Sequence, residues 1–231
     1  MRQISGGDAF YLYTDKQSRH QHISALYIYD ASTAAEKPLR FKSILRTIEE
    51  RLGASPIFRQ RLVKVPLNLD YPYWINDPDF DLEYHVRHIA LPKPGDWRQL
   101  CIQVSRLHAL SLDMTRPLWE TYVIEGLDNI DFLPKGSFAM LTKIHHVAID
   151  GVGAADLAMG LHDTEPQPRS PRRQVRWRPG KIPGPATLLS RAAANNTRAA
   201  LRSGRTLVNS LAGTLRDGGA DEQQYTAAPR P

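Results

Sequence analysis

Lys143-Ile144-His145-His146-Val147-Ala148-Ile149-Asp150-Gly151 gathers a lysine, two adjacent histidines and a carboxylate into one short stretch. Neutral imidazole titrates near about pH 6.5, so a histidine here can draw a proton from a hydroxyl at working pH. Two histidines and an aspartate also suggest a metal site. The stretch closes a strand, however, and neighbouring side chains on a strand point to opposite faces. His145 and His146 are therefore poorly placed to share one ion, and we expect no metal. One ring should face a cavity and the other should face packing. Asp150 follows after a bend and is placed to brace the local turn; it is not read as the third member of a relay. Gly151 permits a tight backbone where a helix starts. A lone histidine is more often a satisfied structural residue, but His-His-x-x-x-Asp-Gly between an apolar strand and a small-residue helix is a specific pattern.

The elements that must position this motif are legible from periodicity. Trp119–Ile124 and Phe138–His146 read as strands joined by a loop, Asp128–Gly136, that is broken by Asn129, Pro134 and Gly136. Ile23–Tyr29 is a β-branched and aromatic strand, and Arg61–Val65 a shorter candidate. Phe41, Ile44, Leu45, Ile48 and Leu52 mark one face of a helix within Pro38–Gly53. Asp96 and Gln99 form a capping-box pattern ahead of a second helix, Leu100–Leu112. Gly151–Leu161 reads as a third. Alternating strands and helices argue for a mixed α/β layered architecture.

Charge divides the chain. Residues 1–165 hold 18 Lys+Arg and 21 Asp+Glu, a net of −3. Residues 166–231 hold 12 basic and 3 acidic residues, a net of +9, so the overall +6 belongs to a basic tail on a near-neutral body. Six prolines between Pro166 and Pro185 make 166–185 an extended linker. Ala186–Arg216 then reads as a basic helix, frayed near Gly204. The tail has few aromatic residues for base stacking and no recognisable nucleic-acid module, so a nucleic-acid partner is not expected. One cysteine excludes an intrachain disulfide and fits a reducing cytosol. No run reaches the ~18 apolar residues of a spanning helix. A cytoplasmic protein is expected, with at most peripheral contact to a membrane or lipid droplet through the basic tail.

Other reactive residues take plainer readings. His20, His22, His85 and His88 come in close pairs without further ligands nearby and read as packing or surface residues. Asp77, Asp79 and Asp81 lack the glycine and terminal glutamate of a calcium loop. Cys101 is expected to be a buried structural thiol inside the Leu100–Leu112 helix.

His145–Gly151 resembles the HHxxxDG active-site motif of the bacterial wax ester synthase/acyl-CoA:diacylglycerol acyltransferase family. Asp8-Ala9-Phe10-Tyr11-Leu12, Phe58–Leu62, Trp74–Asp77, Phe80–Val86 and Arg116-Pro117-Leu118-Trp119-Glu120 are similar to other blocks of that family, in order, over about the first 165 residues. The resemblance implies a CoA-dependent acyltransferase (chloramphenicol acetyltransferase-like) α/β sandwich, of which this chain is the N-terminal half of a two-domain pseudo-dimer. Residues 1–165 would be the N-terminal acyltransferase domain. Residues 186–231 would be a basic helix and a crossover segment to a C-terminal domain that supplies the other wall of a substrate tunnel. The resemblance further implies His146 as general base, His145 as its support and Asp150 as a structural acid. Gly151, Pro117, Leu118 and Trp119 would line or shape the substrate path. The implied reaction moves a fatty acyl group from acyl-CoA, a co-substrate with no other cofactor, to a long-chain alcohol or diacylglycerol. A condensation-type enzyme using carrier-bound acyl groups is the alternative.

Overall fold

Twelve regular elements and several 3-10 turns order the described part of the chain. The structure is a computed structural model that describes residues 1–32, 34, 40–149, 160–162 and 177–217. In chain order the elements are β1 (Arg2–Gln3), α1 (Gly6–Thr14), β2 (His22–Tyr29), α2 (Phe41–Arg51), β3 (Gln60–Val63), β4 (Tyr73–Asn76), α3 (Leu82–His85), β5 (Val86–Ala90), α4 (Trp97–Ala109), β6 (Trp119–Glu125) and β7 (Phe138–His145). A single 3-10 turn (His146–Ala148) follows, and later a long helix, α5 (Pro185–Asp217).

The larger sheet has the order β2-β7-β6-β5, and the smaller β1-β4-β3. β7 pairs antiparallel with both β2 and β6, while β5 and β6 run parallel. A parallel pair needs a crossover, and α4 provides it. Every residue of β7 is buried, as befits a central strand covered on both faces. On one face Ala139, Leu141, Tyr122 and Ile124 pack with Leu100 and Leu107 of α4. On the other, Met140, Ile144, Trp119 and Val123 join Ala9 and Leu12 of α1, Ile44 and Ile48 of α2, and Phe58, Leu62 and Trp74 from the region of the small sheet. Each such side chain contributes roughly 1.5–3 kcal/mol by leaving water. The mixed α/β expectation holds.

Contacts divide the chain into two compact units: Met1–Lys64 with Tyr71–Ile182, and Val65–Asp70 with Pro183–Pro231. In the first, Trp177–Gly180 is stitched to β4. The Arg178 carbonyl accepts from Asn76 Nδ2 at 3.0 Å, and the Gly180 N–H donates to the Asn76 carbonyl at 3.2 Å. A Cβ at Gly180 would lie 2.4 Å from that carbonyl oxygen, so the close approach requires glycine. In the second, Asn195 donates to Asp70 (2.8 Å) and Asn196 to the Leu69 carbonyl (3.0 Å).

Several expectations need correction. α4 ends at Ala109, so Leu110–Leu112 lie beyond it. Gln99 reaches the Gly95 N–H at 2.7 Å rather than that of the N-cap Asp96, whose own side chain accepts from the Gln99 N–H. Cys101 is exposed, because α4 buries Leu100 and Leu107 and the next residue turns away by about 100°. α5 runs unbroken through Gly204, and Pro185, read as the end of the linker, is its first residue. The 166–176 part of the linker, the 226–231 crossover and most of the Gly151–Leu161 helix lie outside the described residues. Among the described residues no helix is long and apolar enough to cross a membrane.

Candidate active site

The motif begins where the sheet ends. His145 makes the last contact of β7 with the β6 side, its N–H donating to the Leu118 carbonyl at 3.0 Å. The next N–H, that of His146, donates to the Gln21 carbonyl at 2.8 Å, and the chain then closes a 3-10 turn with Ile149 N–H on the His146 carbonyl at 3.1 Å. This change from extended to turn backbone separates the two rings. His145 is 1% exposed, whereas His146 is partly exposed.

One nitrogen of His145 is hydrogen-bonded and the other faces a carboxylate. Nδ1 accepts the Val147 N–H at 3.1 Å, so in the neutral ring the proton sits on Nε2. Nε2 faces Asp15 Oδ2 at 3.5 Å, within ion-pair range but too loose for a formed hydrogen bond. Burial holds the His145 pKa below that of free imidazole, and the Asp15 carboxylate opposes the shift. Asp15 caps the C-terminus of α1. Its Oδ1 also accepts the Gln21 N–H at 3.1 Å and lies 3.5 Å from His20 Nδ1. One carboxylate thus ties the end of α1, the loop before β2 and the first motif histidine together.

α1 brings a second group. Ser5 and Asp8 form a reciprocal capping box, with the Asp8 N–H on Ser5 Oγ and the Ser5 N–H on Asp8 Oδ2, both at 3.1 Å. Ala9 and Leu12 anchor the helix in the core. Tyr11 then lies parallel to the His146 ring, with centroids 4.8 Å apart and planes at 17°.

Behind the motif the sheet is polar. His22 sits across from His145, and its Nε2 donates to the His108 carbonyl at 2.8 Å. Burial lowers its pKa to about 4. Lys143 is fully buried; its Nζ donates to the Leu107 and Leu110 carbonyls at 3.0 and 2.6 Å and lies 3.9 Å from Glu120, its cross-strand partner. Burial lowers the Lys143 pKa, and Glu120 opposes that. Glu120 also accepts from the Tyr122 hydroxyl at 2.7 Å. The C-terminus of α4 is therefore fastened to β2 and β7 by side chains that satisfy its free carbonyls.

The expected site residues fall into three groups. His145, His146 and the Leu118 backbone come together. Pro117, Leu118 and Trp119 are buried, and the Trp119 indole donates to the Phe58 carbonyl at 2.9 Å; these side chains build the wall behind the motif. Asp150 and Gly151 lie outside the described residues. Two cavities, of about 480 and 340 Å³, are lined elsewhere: one by Ile44, Asp128, Lys135 and Phe138 among others, the other by Arg87, Asp113, Glu120 and Tyr122 among others. Neither includes a motif histidine. The sequence reading missed Asp15 and Gln21, whose importance is visible only once the loop before β2 is folded against β7. Tyr11 lay within a recognised block but without a role.

Asp77, at the end of a recognised block, is also buried. It accepts from the Asp79 N–H and lies 3.5 Å from Arg61, as a structural loop acid. Asp81 caps α3. His85 is buried against Trp119, while His88 stacks on Phe41 and pairs with Glu125 at the surface.

A sequence model of the wax ester synthase/diacylglycerol acyltransferase catalytic domain matches residues 4–230. Two Mycobacterium tuberculosis proteins that carry the name diacylglycerol O-acyltransferase are each 36% identical to the chain. One is matched over 79% of this chain and 37% of its own length. The other is matched over 82% and 66%. The solved wax ester synthase/diacylglycerol acyltransferase from Marinobacter aquaeolei VT8 is similar with a TM-score of 0.56 and 31% identity, over 68% of this chain and 37% of that one. The chain thus spans little more than a third of the length of the first relative and of the solved structure.

Proposed function

Because the chain belongs to the wax ester synthase/diacylglycerol acyltransferase family, we propose that it carries the general base of an acyltransferase that moves a fatty acyl group from acyl-CoA to a long-chain alcohol or diacylglycerol. The observation that supports this most is the different treatment of two adjacent imidazoles. His145 is buried with Nδ1 hydrogen-bonded and Nε2 facing Asp15, and His146 is partly exposed on a turn held at both ends by backbone hydrogen bonds.

In this reading neutral His146 accepts the proton of the acceptor hydroxyl as its oxygen attacks the thioester carbonyl carbon. The tetrahedral intermediate collapses, the C–S bond breaks and the ester is formed. The CoA thiolate leaves and takes the proton back from the imidazolium. No acyl-enzyme is needed, and the exposed Cys101 has no part. His145 and Asp15 hold the turn. The family motif assigns Asp150 the role of a structural acid and includes Gly151. Pro117, Leu118 and Trp119 shape the site from behind. A C-terminal domain provides the facing wall and the donors that stabilise the oxyanion.

The test is acyl transfer by the native protein from acyl-CoA to a long-chain alcohol and to diacylglycerol. A positioned general base contributes ~10²–10⁴-fold, so His146→Ala should lose about that factor in kcat with unchanged stability. A His146→Ala protein with full activity overturns the assignment.

A further inference from the structure

The two motif histidines are oriented by different means. His145 is held through its nitrogens, by the Val147 N–H and by Asp15. A base cannot have both nitrogens held that way, because one must stay open to the substrate. The backbone bonds at Gln21 and Ile149 fix where His146 starts, yet they leave its ring free to turn about the Cβ–Cγ bond. A terminal sp³–sp² torsion of this kind is broad and needs an outside contact to settle it.

Tyr11 supplies that contact. Its ring covers one face of the imidazole at 4.8 Å and 17°. Imidazole lone pairs lie in the plane of the ring, so a partner stacked on the face leaves both nitrogen edges open. Tyr11 is itself steadied. The capping box starts α1 at Ser5, the buried Ala9 and Leu12 seat the helix, and Phe10 meets the Tyr11 ring edge-on at 5.8 Å and 77°. We infer that Tyr11 is a positioning residue for His146, fixing the plane of the imidazole by stacking so that a ring nitrogen is presented to the acceptor hydroxyl. The inference rests on the reading of His146 as the base.

Two measurements test it on the native protein. The first reads the stack without reference to activity. The ring C–H resonances of His146 should be displaced upfield by the Tyr11 ring current, keep that displacement in Tyr11→Phe and lose it in Tyr11→Leu. The second is kinetic. Tyr11→Leu should lower kcat roughly tenfold, the upper end of what an aromatic pair contributes, with KM unchanged, and Tyr11→Phe should restore it. Identical His146 resonances in wild type and Tyr11→Leu would overturn the inference. So would full kcat in Tyr11→Leu, or a loss in Tyr11→Phe as large as in Tyr11→Leu. Full activity in His146→Ala would remove the base and this inference with it, and the ring-current displacement would distinguish that failure from an absent stack.

Discussion

Between Phe138 and Leu141, β7 buries Phe, Ala, Met and Leu against Val123, Ile124 and Leu100. Between Thr142 and His145 it is just as completely buried, yet two of those four residues are a lysine and a histidine. The first half is held by contacts with no preferred direction, which tolerate any well-fitting apolar side chain. The second half is held by hydrogen bonds and charge pairs that demand particular atoms at particular distances. The rigid half stabilises the domain, and the directional half aims the motif.

The largest expected effect comes from Lys143→Met. It takes the donor away from the Leu107 and Leu110 carbonyls and removes one of the two cations beside the buried Glu120, Arg87 remaining at 3.5 Å, and should cost about 3–5 kcal/mol in denaturant unfolding. Adding Glu120→Gln should recover part of that loss. Leu141→Ala in the apolar half should cost a comparable ~2–5 kcal/mol with no partner substitution able to restore it. Recovery in both halves, or in neither, breaks the contrast.

Acid should separate the halves next. Unfolded histidine takes up a proton near pH 6.5, while the buried His22 and His85 do so only near 4. Between those values the unfolded chain binds more protons. Stability is therefore complete above about pH 6.5 and falls as pH drops toward 4. At pH 5.5 each histidine should cost about 1–1.5 kcal/mol relative to neutral pH. His22→Asn should remove its share of the slope, and Leu141→Ala should leave the slope untouched. Equal wild-type stability at pH 7.5 and 5.5 would contradict the burial of these rings.

Asp15→Asn should have the smallest effect on unfolding, below about 1.5 kcal/mol, since its contacts are long and its side chain is partly exposed. Its mark should appear in kcat, because the carboxylate ties His145 to the loop that holds His146. A large loss of stability with normal kcat would make Asp15 an ordinary brace of the fold.

What could be read in advance follows the same division. The apolar strands, the α2 stripe at Ile44 and Ile48, and the motif at the end of β7 are local patterns, and each lies within a residue or two of where it was expected. β4 was missed, since Tyr73–Asn76 is too short and is flanked by prolines. Cys101 was misplaced because a helix face is set by which neighbour packs against it, and α4 ends sooner than its leucines suggest. Asp15, Gln21, Tyr11 and Lys143 gain their roles from partners more than a hundred residues away, or from helix carbonyls that no spacing reveals. Resemblance suggested the chemistry, and only the folded chain shows how the motif is held in place.

β2 lies against β7 in the sheet, although 108 residues of chain separate Tyr29 from Phe138. During synthesis at ~5–20 residues per second, β2 leaves the ribosome roughly 5–20 s before its neighbour is made. For that interval its aromatic and β-branched side chains have no sheet to join, and the Gln21 carbonyl awaits a histidine not yet translated. Assembly of the candidate site is thus a late step in the life of the nascent chain, and conditions that slow translation would prolong the period in which β2 is exposed to aggregation.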